Sequence, residues 1–159
     1  MSAHEQVMQK MQEMATFFSA QNISLDLPPQ SNLTLGTIYT EIELGKMISA
    51  TIPFNTQFMN PIRVFQGGFL SAAFDEVFGP LSYMAASRPV VTLELNTTFI
   101  RPFVAKDEFI HLRAELIAQS RTLIIMRAEA KTKAGKLVAT ATSNSLVLTE
   151  EHLQQMRTT

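Results

Sequence analysis

The sequence predicts an α+β domain in which one long antiparallel sheet curls around a single apolar helix. Three observations lead there. The run from Phe69 to Ala86 is almost wholly apolar or small, so as a helix it is buried nearly all round. Four extended segments follow it, at 90–101, 108–119, 121–133 and 136–148, and the clearest of them alternate apolar with polar residues, as a sheet with one wet face does. Before it come an amphipathic helix and two shorter strands. The 159 residues suit one domain, 1–159, with enough apolar side chains to fill a core.

Taken in order, Val7, Met8, Met11, Met14, Ala15, Phe17 and Phe18 recur at steps of three and four. That spacing predicts an amphipathic helix from about His4 to Ser19, inside an N-terminal segment 1–20 that caps the domain. Its methionines suit either adaptable packing or a flexible lid over an apolar ligand, packing being the plainer reading. Residues 21–32 read as a connecting loop because Pro28-Pro29 breaks regular structure. The sheet-and-helix core then spans 33–148, opening with strands at 33–44 and 46–54 joined at Gly45. A polar loop, 55–66, feeds the central helix from Gly67 or Gly68 to about Ser87, and Pro80 predicts a kink or a break within it.

After Arg88-Pro89, the second long strand sets Ile110, Leu112, Ala114, Leu116 and Ala118 against Phe109, His111, Arg113, Glu115 and Gln119. The third sets Ile124, Met126, Ala128 and Ala130 against Arg127, Glu129 and Lys131, and Ala134-Gly135 turns the chain into the last strand. Residues 150–159 read as a frayed or short helical tail.

Composition excludes several classes. A formal net charge of -1 without basic clusters argues against a nucleic-acid surface. With no cysteine there is no disulfide framework, thiolate metal site or cysteine nucleophile. The N-terminus carries Glu5, Lys10 and Glu13 where a signal peptide needs an apolar core, and no segment is apolar enough to cross a bilayer, so a cytoplasmic protein without membrane insertion is expected. His4, His111 and His152 are too scattered to suggest a metal site or a triad.

What chemistry the sequence offers lies between Asn60 and Asp75. Asp75 and Glu76 sit side by side in an apolar helix, where an ionised group needs a partner, a shifted pKa or access to water. Gly67-Gly68 at the helix start allows close approach to the backbone and leaves N–H groups open toward an oxygen that gains negative charge. Asp75 follows Gly67 by eight residues, about 12 Å along the helix at ~1.5 Å per residue, so it does not easily serve its own glycines. A twofold pair with antiparallel central helices brings Asp75 of one subunit toward Gly67 of the other, which predicts a homodimer.

The spacing Asn60, five residues, Gln66-Gly67-Gly68, six residues, Asp75, followed by the strand from Val91-Thr92 to Arg101-Pro102, resembles the hotdog-fold acyl-CoA thioesterases of the PaaI-like (4HBT) group. The resemblance covers about two thirds of the chain, from Leu44 to Leu148. It implies a hotdog fold, an acyl-CoA substrate whose coenzyme A is no cofactor, no metal, and sites shared within a homodimer, with dimer and dimer of dimers both open. It implies Asp75 as general base or nucleophile, Gly67 as oxyanion donor helped by Gly68, Asn60 and Thr92 positioning water or the acid, and Gln66 beside the thioester. Phe65 lies where the acyl group is expected, and Arg121 is one of several basic residues suited to coenzyme A phosphates. Glu76 is the rival acid, since other hotdog thioesterases use Glu on this helix. One departure stands out: the group usually has His where this chain has Gln66, and glutamine does not take a proton near neutral pH. That motivates a rival expectation, a non-catalytic acyl-CoA binding module, while a dehydratase lacks its histidine.

Overall fold

The computed structural model describes residues 1–20 and 22–157. Gln21, assigned by sequence to the connecting loop, and Thr158 and Thr159 of the tail lie outside the described residues. The elements are α1 (Ala3–Ser19), α2 (Gln30–Leu35), β1 (Ile38–Glu43), β2 (Met47–Pro53), α3 (Gly67–Ala86), β3 (Val90–Phe99), β4 (Phe109–Gln119), β5 (Leu123–Thr132), β6 (Leu137–Val147) and α4 (Glu150–Arg157), with single turns of 3₁₀ helix at Thr56–Phe58 and Ala105–Asp107. All strand pairs are antiparallel, in the order β1-β2-β4-β5-β6-β3. The α3 helix packs against β2, β3, β4, β5 and β6. This is the α+β arrangement that the sequence predicts.

The core forms where periodicity places it. Ile48, Ile52, Ile110, Leu112, Ile124 and Met126 point inward and are fully buried, against Phe74, Val77, Phe78 and Leu81 of α3. Full burial of such a side chain contributes about 1.5–3 kcal/mol, which is what holds helix to sheet. The other sheet face is wet and laced with exposed ion pairs, Arg113 to Glu41 and Arg127 to Glu115 among them. These contribute little to stability.

Three expectations change. Residues 30–35, divided by sequence between loop and strand, form α2: Pro29 stands just ahead of it, where a ring with fixed φ is tolerated, and Gly36 closes it with φ 68. In β4 the alternation ends early, because a bulge between Leu116 and Ala118 leaves Ala118 exposed and not on the buried face. The third concerns Pro80, which does not divide α3: the helix is continuous over 20 residues.

Pro80 lacks the N–H that would donate to the Glu76 carbonyl. The Tyr39 hydroxyl, reaching in from β1, donates there at 3.2 Å. Tyr39 is 2% exposed and its hydroxyl also meets Asn32 Nδ2 and Glu76 Oε1, each at 3.4 Å. A hydrogen bond missing from α3 is thus supplied by a neighbouring strand. Tyr39→Phe should therefore cost about 1–3 kcal/mol, the range for leaving a buried acceptor unpaired, read as a lowered denaturant midpoint at unchanged slope.

Helix α1 starts in a capping box between Ser2 and Glu5 and buries Val7, Met11, Ala15 and Phe18. The Tyr39 N–H donates to His4 Nδ1 at 3.2 Å, and the two rings stack with centroids 5.5 Å apart. So α1 is fastened to the β1 edge. No described helix is long and apolar enough to cross a membrane.

Candidate active site

Helix α3 is not buried nearly all round, as its composition predicts. Gly68, Phe69, Ala72 and Asp75 are exposed along one side and Gly79 is half-buried. Glycine and alanine on that side leave it nearly flat, and Asp75 projects from it.

Strand β3 sets the surroundings of Asp75. Its pairing with β6 shifts register between Thr92 and Glu94, so Leu93 is an extra residue. The bulge switches the odd and even positions. Thr92 before it faces α3, donating from Oγ1 to Asp75 Oδ1 at 3.1 Å, and beyond it Thr97 faces α3, accepting from Ser71 Oγ at 3.1 Å. Phe99 follows on the same side, where its ring lies against Gly67.

At the start of α3, the loop is pinned by Phe65 N–H to the Phe103 carbonyl and Gln66 N–H to the Phe58 carbonyl. Gln66 is the cap residue, in extended conformation, and its exposed side chain caps nothing. The N–H groups of Gly67 and Gly68 meet no acceptor among the described residues. Open first-turn amides at the positive end of a helix dipole suit an anionic oxygen. Asn60 shapes the loop, its Oδ1 accepting from the N–H groups of Ile62 and Val64, each at 3.1 Å. Asn60, Phe65 and Gly67 line one cavity of about 360 Å³ together with Phe99 and Arg101. Phe65 is also part of an aromatic cluster with Phe54, Phe58 and Phe103.

Asp75 lines a different cavity, of about 270 Å³, with Glu76 and Tyr83. The expected residues therefore fall into two groups, Asn60-Phe65-Gln66-Gly67 and Thr92-Asp75. Arg121 lies exposed in the β4–β5 turn, at the sheet end where Gln119 Nε2 reaches the Ala85 carbonyl near the close of α3. Among the described residues no three histidines or carboxylates gather as a metal site.

The two acids have different surroundings. Asp75 is exposed, whereas Glu76 is 9% exposed beneath α2 and β1. Burial raises the Glu76 carboxyl above its ordinary range, opposed by hydrogen bonds from Ser31, Asn32 and Tyr39 and reinforced by the Asp75 charge. An acid whose folded pKa is raised stabilises most below the unfolded value and loses that contribution as pH rises through the folded one. Glu76→Gln should consequently lack one downward step in melting temperature between acidic and neutral pH that the wild type shows, read as the difference between their profiles. Tyr83, eight residues after Asp75, was missed by motif reasoning. Its phenol is raised first by burial and then by the Asp75 charge, and its signal was that spacing along one helix side.

One helix laid against a six-stranded antiparallel sheet, carrying a carboxylate and an open first-turn amide, defines a hotdog-fold protein. A model of the thioesterase superfamily matches residues 64–139, from the loop before α3 into β6. Over that stretch the chain is similar to the thioesterase superfamily, and in fold it resembles the PaaI-like group. Its fold is similar to that of the PaaI protein from the Escherichia coli phenylacetic acid degradation operon (17% identity, 93% of this chain and 97% of that one, TM-score 0.74). It is also similar to a phenylacetic acid degradation-related protein of Ralstonia eutropha (29% identity, 82% and 98%, TM-score 0.68). A third likeness is to a hypothetical thioesterase of Streptococcus pneumoniae solved with coenzyme A (17% identity, 75% and 92%, TM-score 0.69). No curated protein matches the chain.

Proposed function

We propose that the protein hydrolyses acyl-CoA thioesters to a free acid and coenzyme A, without a metal, in two equivalent sites that a homodimer completes. The observation that carries this reading is the exposed Asp75, oriented by Thr92, on the same helix as the open Gly67 amide. About 12 Å of helix at ~1.5 Å per residue separates them, more than one thioester carbonyl and its attacking water span. Pairing α3 with an antiparallel copy brings each acid to the other's amide. The outer edge of β3, last in the strand order, supports such pairing with exposed Val91 and Leu93.

In this site a water deprotonated by Asp75 attacks the thioester carbon, and the charge on the carbonyl oxygen is met by the Gly67 N–H. The C–S bond then breaks and the proton passes to the departing thiolate. Asp75 acting directly as nucleophile gives the same products through an anhydride. Asn60 holds the loop, and Arg121 is the basic residue assigned to coenzyme A phosphates. The coenzyme A bound by the Streptococcus pneumoniae protein supports the substrate class.

Release of free thiol from a panel of short, medium, long and aromatic acyl-CoAs tests the proposal, beside the protein's mass in solution. Turnover by a dimer is expected, and no turnover of any member sinks it. Gln66 favours a second reading, an acyl-CoA binding module, because it stands where the group's histidine is usual. Under the hydrolase reading Gln66→His changes kcat by about tenfold or less, the glutamine side chain sufficing to orient the thioester. Acyl-CoA binding without turnover in the wild type, with activity only in Gln66→His, decides for the module.

A further inference from the structure

The cavity beside Asp75 is closed by the N-terminal helices. Met11 of α1, Leu35 of α2 and Pro29 form one wall, and Pro80 and Tyr83 of α3 form another. We infer that this cavity takes the acyl group of the thioester, and that Met11 and Leu35 set the length of that group. The inference rests on the Asp75 site proposed above and adds to it the acyl class and the residues that select it.

A thioester carbon held within reach of the Asp75 carboxylate has two substituents, the acyl chain and the sulfur of coenzyme A. The carboxylate opens onto a cavity of its own chain, whose walls are mainly thioether, leucine, proline and an aromatic ring, with Ser31 and Glu76 among them. Such walls suit hydrocarbon and bring no basic group to a phosphate. The cavity beside Gly67 has Arg101 and Asn60 in its lining, and so has the basic group that the Asp75 cavity lacks.

Met11 is 7% exposed and Leu35 is 6% exposed, so both side chains are packed walls with no freedom to lie in solvent. Neither belongs to the sheet or to α3. Helix α1 is fixed by contacts lying away from the cavity, the buried Val7 and Phe18 and the His4–Tyr39 bond at the β1 edge. The wall is therefore supplied by one part of the chain and the acid by another, and wall residues can change length preference without moving Asp75. The cavity measures about 270 Å³, room for an extended hydrocarbon group.

Equilibrium binding of non-hydrolysable acyl-CoA thioethers from butyl to dodecyl, run on full-length wild type, Met11→Ala, Leu35→Ala and Met11→Phe, tests this. Circular dichroism checks each fold, and thiol release from the matching thioesters runs alongside. Wild-type affinity should rise with length and level off within the series. Met11→Ala, which removes three non-hydrogen atoms, should move that plateau to longer chains with about a tenfold gain for dodecyl, and Met11→Phe should move it to shorter ones. Should Met11→Ala unfold, Leu35→Ala reads the same wall. Turnover with length profiles identical in all four proteins overturns the inference and leaves the hydrolase reading standing. Profiles that shift as described without turnover uphold the inference and remove the hydrolase reading, and absence of any acyl-dependent binding overturns both.

Discussion

Asp75→Asn should fold and assemble as the wild type does and release no measurable thiol. The side chain is exposed and its hydrogen bond comes from the Thr92 hydroxyl, which an amide oxygen also accepts. Stability should stay within about 0.5 kcal/mol, as at other exposed positions away from special geometry. What the amide lacks is a basic or nucleophilic oxygen. Loss of a general base lowers kcat by about 10²–10⁴-fold, and loss of a nucleophile removes the route entirely. Thr92→Ala, which keeps the acid and frees its orientation, should cost about tenfold in kcat with KM little changed. A folded Asp75→Asn dimer that keeps more than about a tenth of wild-type kcat/KM would rule out Asp75 as the acid, since Glu76 is tied up with Tyr39 and is no ready substitute.

Gly67→Ala should disturb the subunit and its chemistry, and Gly68→Ala should disturb the assembly alone. A Cβ on Gly67 would lie 2.9 Å from the Phe99 ring, so the ring or the helix start must move. Overpacking a closed core costs about 1–3 kcal/mol, and the ring met here is 53% exposed, so the cost falls at or below the lower end of that range. The same displacement shifts the Gly67 N–H, and loss of one oxyanion donor lowers kcat by about 10²–10³-fold. A Cβ on Gly68 meets nothing within 4 Å in its own chain, so nothing there requires glycine. If a partner's α3 packs on this face, Gly68→Ala lowers dimer affinity while leaving each subunit folded, read by sedimentation against concentration. Gly67→Ala with Phe99→Leu should recover stability, because the colliding ring is gone, and kcat should return with it.

How far the sequence reaches is clear from particular residues. The long strands and the buried helix were legible because their apolar residues are periodic and because few alternatives bury such a helix. The turns at Gly45 and Gly135 were legible too, both having positive φ. Helix α2 was hidden, since six residues hold too few periods to register. The integrity of α3 at Pro80 depends on a hydroxyl supplied by Tyr39, 37 residues from its Glu76 partner, which no local pattern records. Among site residues, Asn60, Gly67 and Asp75 carried a motif, and the chain has an open amide at Gly67 and an exposed acid at Asp75. The orientation of Thr92 was unreadable, because one extra residue at Leu93 reverses every side of β3 after it. Tyr83 went unnoticed because an aromatic residue in an apolar helix looks like core.

The strand order has a consequence for how the chain is made. Strand β3 leaves the ribosome before β4, β5 and β6, yet its one partner in the sheet is β6, from Val90 beside Val147 to Phe99 beside Ala139. A nascent chain halted before Leu137 therefore holds α3 and β3 with both strand edges open and Phe74 and Phe78 without their full cover. Partial folding from the N-terminus gains little, since the closing pairings are remote in sequence and cost the most loop entropy. The C-terminal hairpin of β5 and β6 acts as a clasp, and the length of unprotected nascent chain, more than any single contact, sets how much this protein relies on being shielded during synthesis.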